Sequence, residues 1–292
     1  MVDQPPVCGV IVTYHPNNEM LNNLAPVLAQ VDELVIVDNG STSSELEPWQ
    51  AASRSQGFGL LENGENLGIA EALNQGVRWA QQKGFRWVIL FDQDSRITDG
   101  YLAEMFKSWN GHPERDRIGA IHPNYRDPET GVEALFRRAK DGGPIVAMTS
   151  GALMPAWIFD KLGMFRSDYF VDEVDTEYCY RIRAAGYLLA DSRQAILLHQ
   201  IGHPRKSSLF GFTFTPTHHN AIRRYYMSRN RIVLYREYFW VFPRWMLKSM
   251  SDAFLETVKC FLGEEDRGRK LRSFLLGSWD GVIGRMGRRE GL

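Results

Sequence analysis

Three stretches of this 292-residue sequence group side chains that hold cations or move protons. Asp92-Gln93-Asp94 ends the apolar run Trp87 to Phe91. Residues two apart in an extended chain point the same way, so both carboxylates can converge at the exposed end of that run. Paired hard oxygen donors suit Mg²⁺ or Mn²⁺, which in turn can hold a diphosphate. Further along, Asp172, Glu173, Asp175 and Glu177 place four carboxylates within six residues. Such a cluster repels itself unless a cation, a proton-accepting role or arginines such as Arg181 and Arg183 organise it. The competing explanation is a solvated helix start, because acids favour a first turn and Arg181 lies four residues after Glu177. His199 follows the apolar run Ala195 to Leu198, where an imidazole can join a metal; a lone histidine is otherwise explained by a hydrogen bond that fixes it.

Short buried strands alternating with helices would bring these groups together. Val7 to Thr13, Leu34 to Asp38 and Trp87 to Phe91 are continuous apolar runs, the pattern of a largely parallel sheet covered on both faces. Ile69, Leu73, Gly76, Val77 and Ala80 recur at helical spacing and predict a helix lying on that sheet. The first two runs end in Thr13, Tyr14, His15 and Pro16, and in Asp38, Asn39, Gly40 and Ser41. Open α/β sheets bind ligands at such carboxyl ends, although the same residues also dominate ordinary turns. The expected fold class is therefore α/β with a mostly parallel central sheet. Around His203 and Pro204 the composition shifts toward Arg, Tyr, Phe and Trp, with helical periodicity from about Ala221, which divides the chain into an α/β domain (1–205) and a helical segment (206–292).

Composition limits the functional classes. A 44% hydrophobic chain can bury a substantial core, and 34 basic against 35 acidic residues give a formal charge of −1. No overall field then drives nonspecific binding to nucleic acid or to an anionic membrane, and nucleotide recognition has to be local. Cys8, Cys179 and Cys260 read as packing thiols in a reducing compartment. Neither a secretory leader nor a bilayer-spanning run is visible, so a cytoplasmic protein is expected, with peripheral attachment to the membrane's inner face left open.

The order Val12-Thr13-Tyr14, Val37-Asp38-Asn39-Gly40-Ser41, Asn66-Leu67-Gly68-Ile69-Ala70, Phe91-Asp92-Gln93-Asp94, Ser150-Gly151-Ala152 and Asp172 through Arg181 resembles glycosyltransferase family 2. Arg224-Tyr225-Tyr226, Arg229-Asn230 and the stretch Gly277 to Gly287 narrow the resemblance to bacterial rhamnosyltransferases that use dTDP-L-rhamnose to build cell-surface polysaccharide. The resemblance implies a GT-A fold. It implies Thr13, Tyr14 and Asp38 as base and ribose contacts, and Asn39, Asn66, Gly68, Asp92 and Gln93 as further nucleotide-sugar contacts. It implies Asp94 and His199 as metal ligands with Asp92 as a third candidate, and Mn²⁺ or Mg²⁺ as cofactor. Ser150, Gly151, Glu177 and Arg181 would support the acceptor side or the structure. Counting back from Arg181, the family's acidic pair places its second member at Asp175, while Val174 replaces the first. Asp175 is thus the implied general base, with Asp172 as its competitor. The implied reaction is inverting: a saccharide or lipid-linked saccharide hydroxyl attacks the anomeric carbon, so β-linked donor becomes α-linked product.

The carboxyl-terminal aromatics Tyr238, Phe239, Trp240, Phe242 and Trp245 with Met246, interleaved with Arg236, Arg244 and Lys248, fit a membrane interface, packing on the catalytic domain or a contact between copies equally well. Three other functional classes fit less well. A nucleotidyltransferase would carry an early Gly-rich basic loop, which Cys8 to Pro16 lacks, and a dinucleotide-binding dehydrogenase would carry Gly-x-Gly-x-x-Gly after the first strand. A noncatalytic sugar-nucleotide sensor has no need of the acids at 172, 175 and 177.

Overall fold

The computed structural model describes residues 4–199, 207–209, 212–214, 219–264 and 266–291, so His203, Pro204 and the expected boundary near residue 205 lie outside the described residues. The chain divides into two compact units, Met1–Ser167 with Val174–Ile201, and Asp168–Glu173 with Gly202–Leu292. The short segment Asp168–Glu173 therefore belongs to the second unit although its neighbours in sequence belong to the first.

In the first unit the elements follow the order β1 (Val7–Thr13), α1 (Leu24–Leu28), β2 (Glu33–Asp38), α2 (Ser43–Gln56), β3 (Gly59–Glu62), α3 (Ile69–Gln82), β4 (Trp87–Asp92), β5 (Arg96–Ile97), α4 (Tyr101–Gly111), β6 (Ile118–Arg126), β7 (Leu153–Pro155), α5 (Trp157–Leu162), α6 (Val174–Ala184) and β8 (Leu188–Leu198). They form one sheet of order β3-β2-β1-β4-β7-β6-β8-β5. The β1–β2, β1–β4, β2–β3 and β6–β8 pairs are parallel, and β7 and β5 join antiparallel. Every residue of β1 is buried, as its unbroken apolar run requires.

Alternation sorts the strand side chains onto two faces. Val7, Ile11, Leu34, Ile36, Ile89 and Phe91 join a core with Trp49, Tyr101, Phe106 and Tyr125. The other face of β1 receives α3 at Gly76, where an added Cβ would stand 2.2 Å from a Val10 methyl. Glycine is used there for close approach, not for flexibility. Cys8, Cys179 and Cys260 are all buried and unbridged.

The second unit contains the antiparallel pair β9 (Ser207–Leu209) and β10 (Phe212–Phe214) and three helices, α7 (Ala221–Tyr238), α8 (Pro243–Gly263) and α9 (Arg267–Ile283). Helices α7 and α9 pack through small residues: a Cβ on Gly277 would lie 2.2 Å from the Tyr225 carbonyl oxygen, and one on Gly281 would lie 2.6 Å from that of Arg229. Among the described residues no helix is long and apolar enough to cross a membrane.

Candidate active site

The carboxyl ends of β1, β2 and β4 assemble the expected groups through a network that begins at Asp38. Its Oδ1 accepts from Thr13 Oγ1 at 3.0 Å and from the Ser41 hydroxyl, and its Oδ2 accepts from the amides of Gly40 and Ser41 at 3.0 and 2.8 Å. Four donors match the roughly four lone-pair positions of a carboxylate. Asp38 and Thr13 are buried and form the turn from which the neighbouring residues project. Tyr14, by contrast, stands 44% exposed beside them. Its amide donates to Gln93 Oε1 at 2.8 Å, tying β1 to the Asp92–Asp94 turn.

Asn39 carries the network to the third loop. Its Oδ1 accepts from the Leu67 amide at 3.0 Å and its Nδ2 donates to Asn66 Oδ1 at 3.1 Å. Asn66 Oδ1 also accepts from the Gly68 amide at 2.9 Å, which sets the start of α3. Gly68 has φ 87° and the helix opens without a side-chain cap, so its first amides keep their donor capacity. Gly40, at φ 100°, lets this loop approach, since a Cβ would lie 2.4 Å from the Glu65 carbonyl carbon.

At the end of β4, Asp92 is half-buried and Asp94 exposed. Loss of water, reinforced by the Asp94 charge, pushes Asp92 above the ordinary carboxylate range, and His199 and Ser150 oppose that shift. Ser150 and Gly151 brace the turn from below. Ser150 Oγ bonds Ser95 Oγ at 2.7 Å, while Tyr101 donates to the Gly151 carbonyl and Tyr125 to the Ser150 carbonyl, each at 2.8 Å. The antiparallel β5–β8 register sets Leu198 opposite Arg96, so His199 arrives beside the Asp92–Ser95 turn. Its Nδ1 is buried and has no hydrogen-bond partner. Two carboxylates and an imidazole with an unused ring nitrogen are the donor types that could hold Mn²⁺ or Mg²⁺. Among the described residues no group of three or more acidic, histidine or cysteine side chains is placed so as to hold a metal ion.

Asp175 lies in the first turn of α6. Burial raises the Tyr125 phenol well above its usual value, and the charges that add to the shift include both Asp175 and Asp92. The two carboxylates therefore lie within electrostatic reach of one phenol. Glu177 is buried and paired with Arg181 through both guanidinium edges, Nε reaching Oε1 at 3.0 Å. Arg181 also donates to the carbonyls of Leu162 and Met164, so the pair braces its surroundings.

Within the second unit, the competitor Asp172 pairs with Arg223. Phe170, Asp172 and Glu173 all have positive φ, near 64°, 63° and 61°, an uncommon conformation for residues with a Cβ. Helix α7 clamps the strained segment. Asn230 Nδ2 donates to the carbonyls of Tyr169, Val171 and Asp172, Arg229 to those of Asp168 and Tyr169, and Arg231 pairs with Glu173 at 2.7 Å. The sequence reading missed Tyr125 and Arg223. A single tyrosine in a strand carries no spacing signal, and Arg223 meets a partner 51 residues away.

The family model for glycosyl transferase family 2 matches residues 9–154, spanning the three loops and the Asp92–Asp94 turn. The chain belongs to glycosyltransferase family 2. This family 2 enzyme is 26% identical over 290 residues to the dTDP-rhamnosyl transferase RfbF of Shigella flexneri, covering 95% of this chain and 96% of that one. It is also 26% identical over 250 residues to the N-acetylglucosaminyl-diphospho-decaprenol L-rhamnosyltransferase of Mycobacterium tuberculosis strain H37Rv, covering 70% and 78%. The mannosyltransferase PcManGT of Pyrobaculum calidifontis, solved with GDP-Man and Mn²⁺, shares its fold at TM-score 0.57 and 17% identity, over 97% of this chain and 89% of that one. GalNAc-T7, solved with UDP, GalNAc and Mn²⁺, shares it at TM-score 0.62 and 11% identity, over 98% of this chain and 58% of that longer one. These likenesses establish the GT-A fold.

Proposed function

We propose that this glycosyltransferase moves L-rhamnose from dTDP-β-L-rhamnose to a saccharide or lipid-linked saccharide with inversion at the anomeric carbon. The observation that carries the donor assignment is the end-to-end match to RfbF, which includes the helical unit as well as the catalytic one. Asp175 takes the proton from the acceptor hydroxyl as its oxygen bonds to the anomeric carbon and the bond to the diphosphate oxygen breaks on the opposite face. Asp172 is the lesser candidate because its carboxylate is already held by the Arg223 guanidinium.

Asp94, with His199 and Asp92, would hold a divalent cation, Mn²⁺ or Mg²⁺, which would supply positive charge to the departing diphosphate. The exposed Tyr14 ring offers a stacking face for the base, and Asn66 with the uncapped amides of α3 offers donors to phosphate. Gln93 keeps the Tyr14 loop and the acidic turn in register.

A panel of nucleotide sugars, read by nucleoside diphosphate release with and without chelator, tests the reading. Turnover is expected with dTDP-β-L-rhamnose and an acceptor, abolished by chelation. Asp175→Asn should eliminate transfer while leaving donor affinity nearly unchanged, and full activity in that variant would remove Asp175 from the role.

A further inference from the structure

The helical unit has an inside-out distribution of polar and apolar groups. Among the exposed large apolar side chains of the described residues, Tyr14, Val132 and Leu135 belong to the first unit and the others to the second. On α8, Leu247, Met250, Phe254, Val258 and Leu262 are exposed at three- and four-residue steps, which is one face of a helix. On α9, Leu271, Leu275, Trp279 and Val282 repeat the pattern, with Trp279 62% exposed.

Three acids point the other way, while Asp252 pairs at the surface with Lys248. Glu256 pairs with Arg224 and Arg231, Glu264 is buried against Arg224 and Lys270, and Asp280 is buried and accepts from the Tyr225 hydroxyl at 2.6 Å. The opposite edge of α8 is also buried at Met246 and Cys260. Basic groups stay outside with the apolar rows: Arg244, Lys248, Lys259, Arg267, Arg269 and Arg272 are exposed. Among the described residues of 239–291, the exposed acids are Asp266 and Glu290. Beside the α9 row runs an open groove lined by Leu271, Arg272, Leu275, Arg289 and Glu290.

We infer that the exposed rows of α8 and α9 dock on the surface of an anionic lipid bilayer. Apolar rows bordered by lysine and arginine bury their side chains at the acyl boundary while the cations meet lipid phosphates. The cluster of aromatics with Met246 divides accordingly. Tyr238 and Met246 are buried in the unit, whereas Trp240 is 87% exposed. A second copy of the chain is the lesser match, because a twofold contact sets the same patch on itself and would oppose like charges.

The test is flotation of the full chain with phosphatidylcholine vesicles with and without phosphatidylglycerol. Flotation with the anionic vesicles is expected, weakening as salt is raised. Leu275→Glu with Trp279→Glu should cut vesicle binding by about tenfold or more while leaving the melting temperature unchanged, since both side chains already face solvent. Arg269→Glu with Arg272→Glu should remove the preference for anionic vesicles. Absence of flotation with anionic vesicles, or flotation untouched by the apolar pair, would overturn the inference. So would a dimer in light scattering that the apolar pair dissociates, which would assign the face to a second copy.

Discussion

Asn230→Ala removes one buried amide and leaves three residues of strained backbone with less to hold them. Nδ2 of Asn230 lies 3.1, 2.9 and 2.8 Å from the carbonyl oxygens of Tyr169, Val171 and Asp172. The Tyr169 carbonyl keeps Arg229 as a donor, whereas those of Val171 and Asp172 lose this one. At roughly 1–3 kcal/mol for each carbonyl deprived of its donor, the variant loses about 4 kcal/mol. Positive φ at Phe170, Asp172 and Glu173 costs on the order of 1–3 kcal/mol apiece, so the loss is comparable to the strain it holds. The segment should then relax, and the chain leads from it directly into Val174 and Asp175. Amide exchange of residues 168–173 should accelerate at least tenfold, and kcat should fall by a similar factor with donor affinity nearly constant. Unchanged exchange and an unchanged melting temperature would show that the segment holds its own shape, and the reasoning about the clamp would be wrong.

Three further outcomes follow from the first unit. Asp94→Ala should weaken Mn²⁺-dependent donor binding by about tenfold or more, measured by titration calorimetry; identical titrations with and without the substitution would reject the ligand role. Gly40→Ala should raise the donor KM, because its Cβ would meet the backbone of Glu65 and Asn66 at 2.4 and 2.6 Å and displace the Asn66 loop; an unchanged KM would detach that loop from donor binding. His122 is buried and its imidazole is pushed down to about 4 by loss of water, from an ordinary value of 6.5. As pH falls from 6.5 toward 4, the unfolded chain gains a proton that the folded one refuses, so stability drops through that window by roughly 3 kcal/mol. Urea midpoints measured across it should decline, and His122→Gln should flatten the decline.

The first unit was legible because burial writes itself into sequence. Strands covered on both faces must be apolar throughout, so β1, β2 and β4 stand out, and α3 shows its stripe and its Gly68 start. The Asp92–Asp94 turn was legible for the same reason, since polar residues that interrupt a buried strand mark its end. Sequence also determined family membership, through motifs distributed over residues 9–154.

Only the tertiary structure decided which polar residues face inward. Asp38 reads as a ligand contact in sequence, yet four donors from three residues enclose it. Glu177 and Asp175 look alike two residues apart, but α6 turns Glu177 into a buried pair with Arg181. Asp172 acquires its Arg223 partner and its strained backbone from a helix that begins about fifty residues later, and α8 turns Glu256 inward and its apolar row outward. Hydrophobic patterning records how much a segment buries. It carries no record of which distant donor meets a given carboxylate, because that depends on long-range register and packing, which leave no local periodicity in the chain.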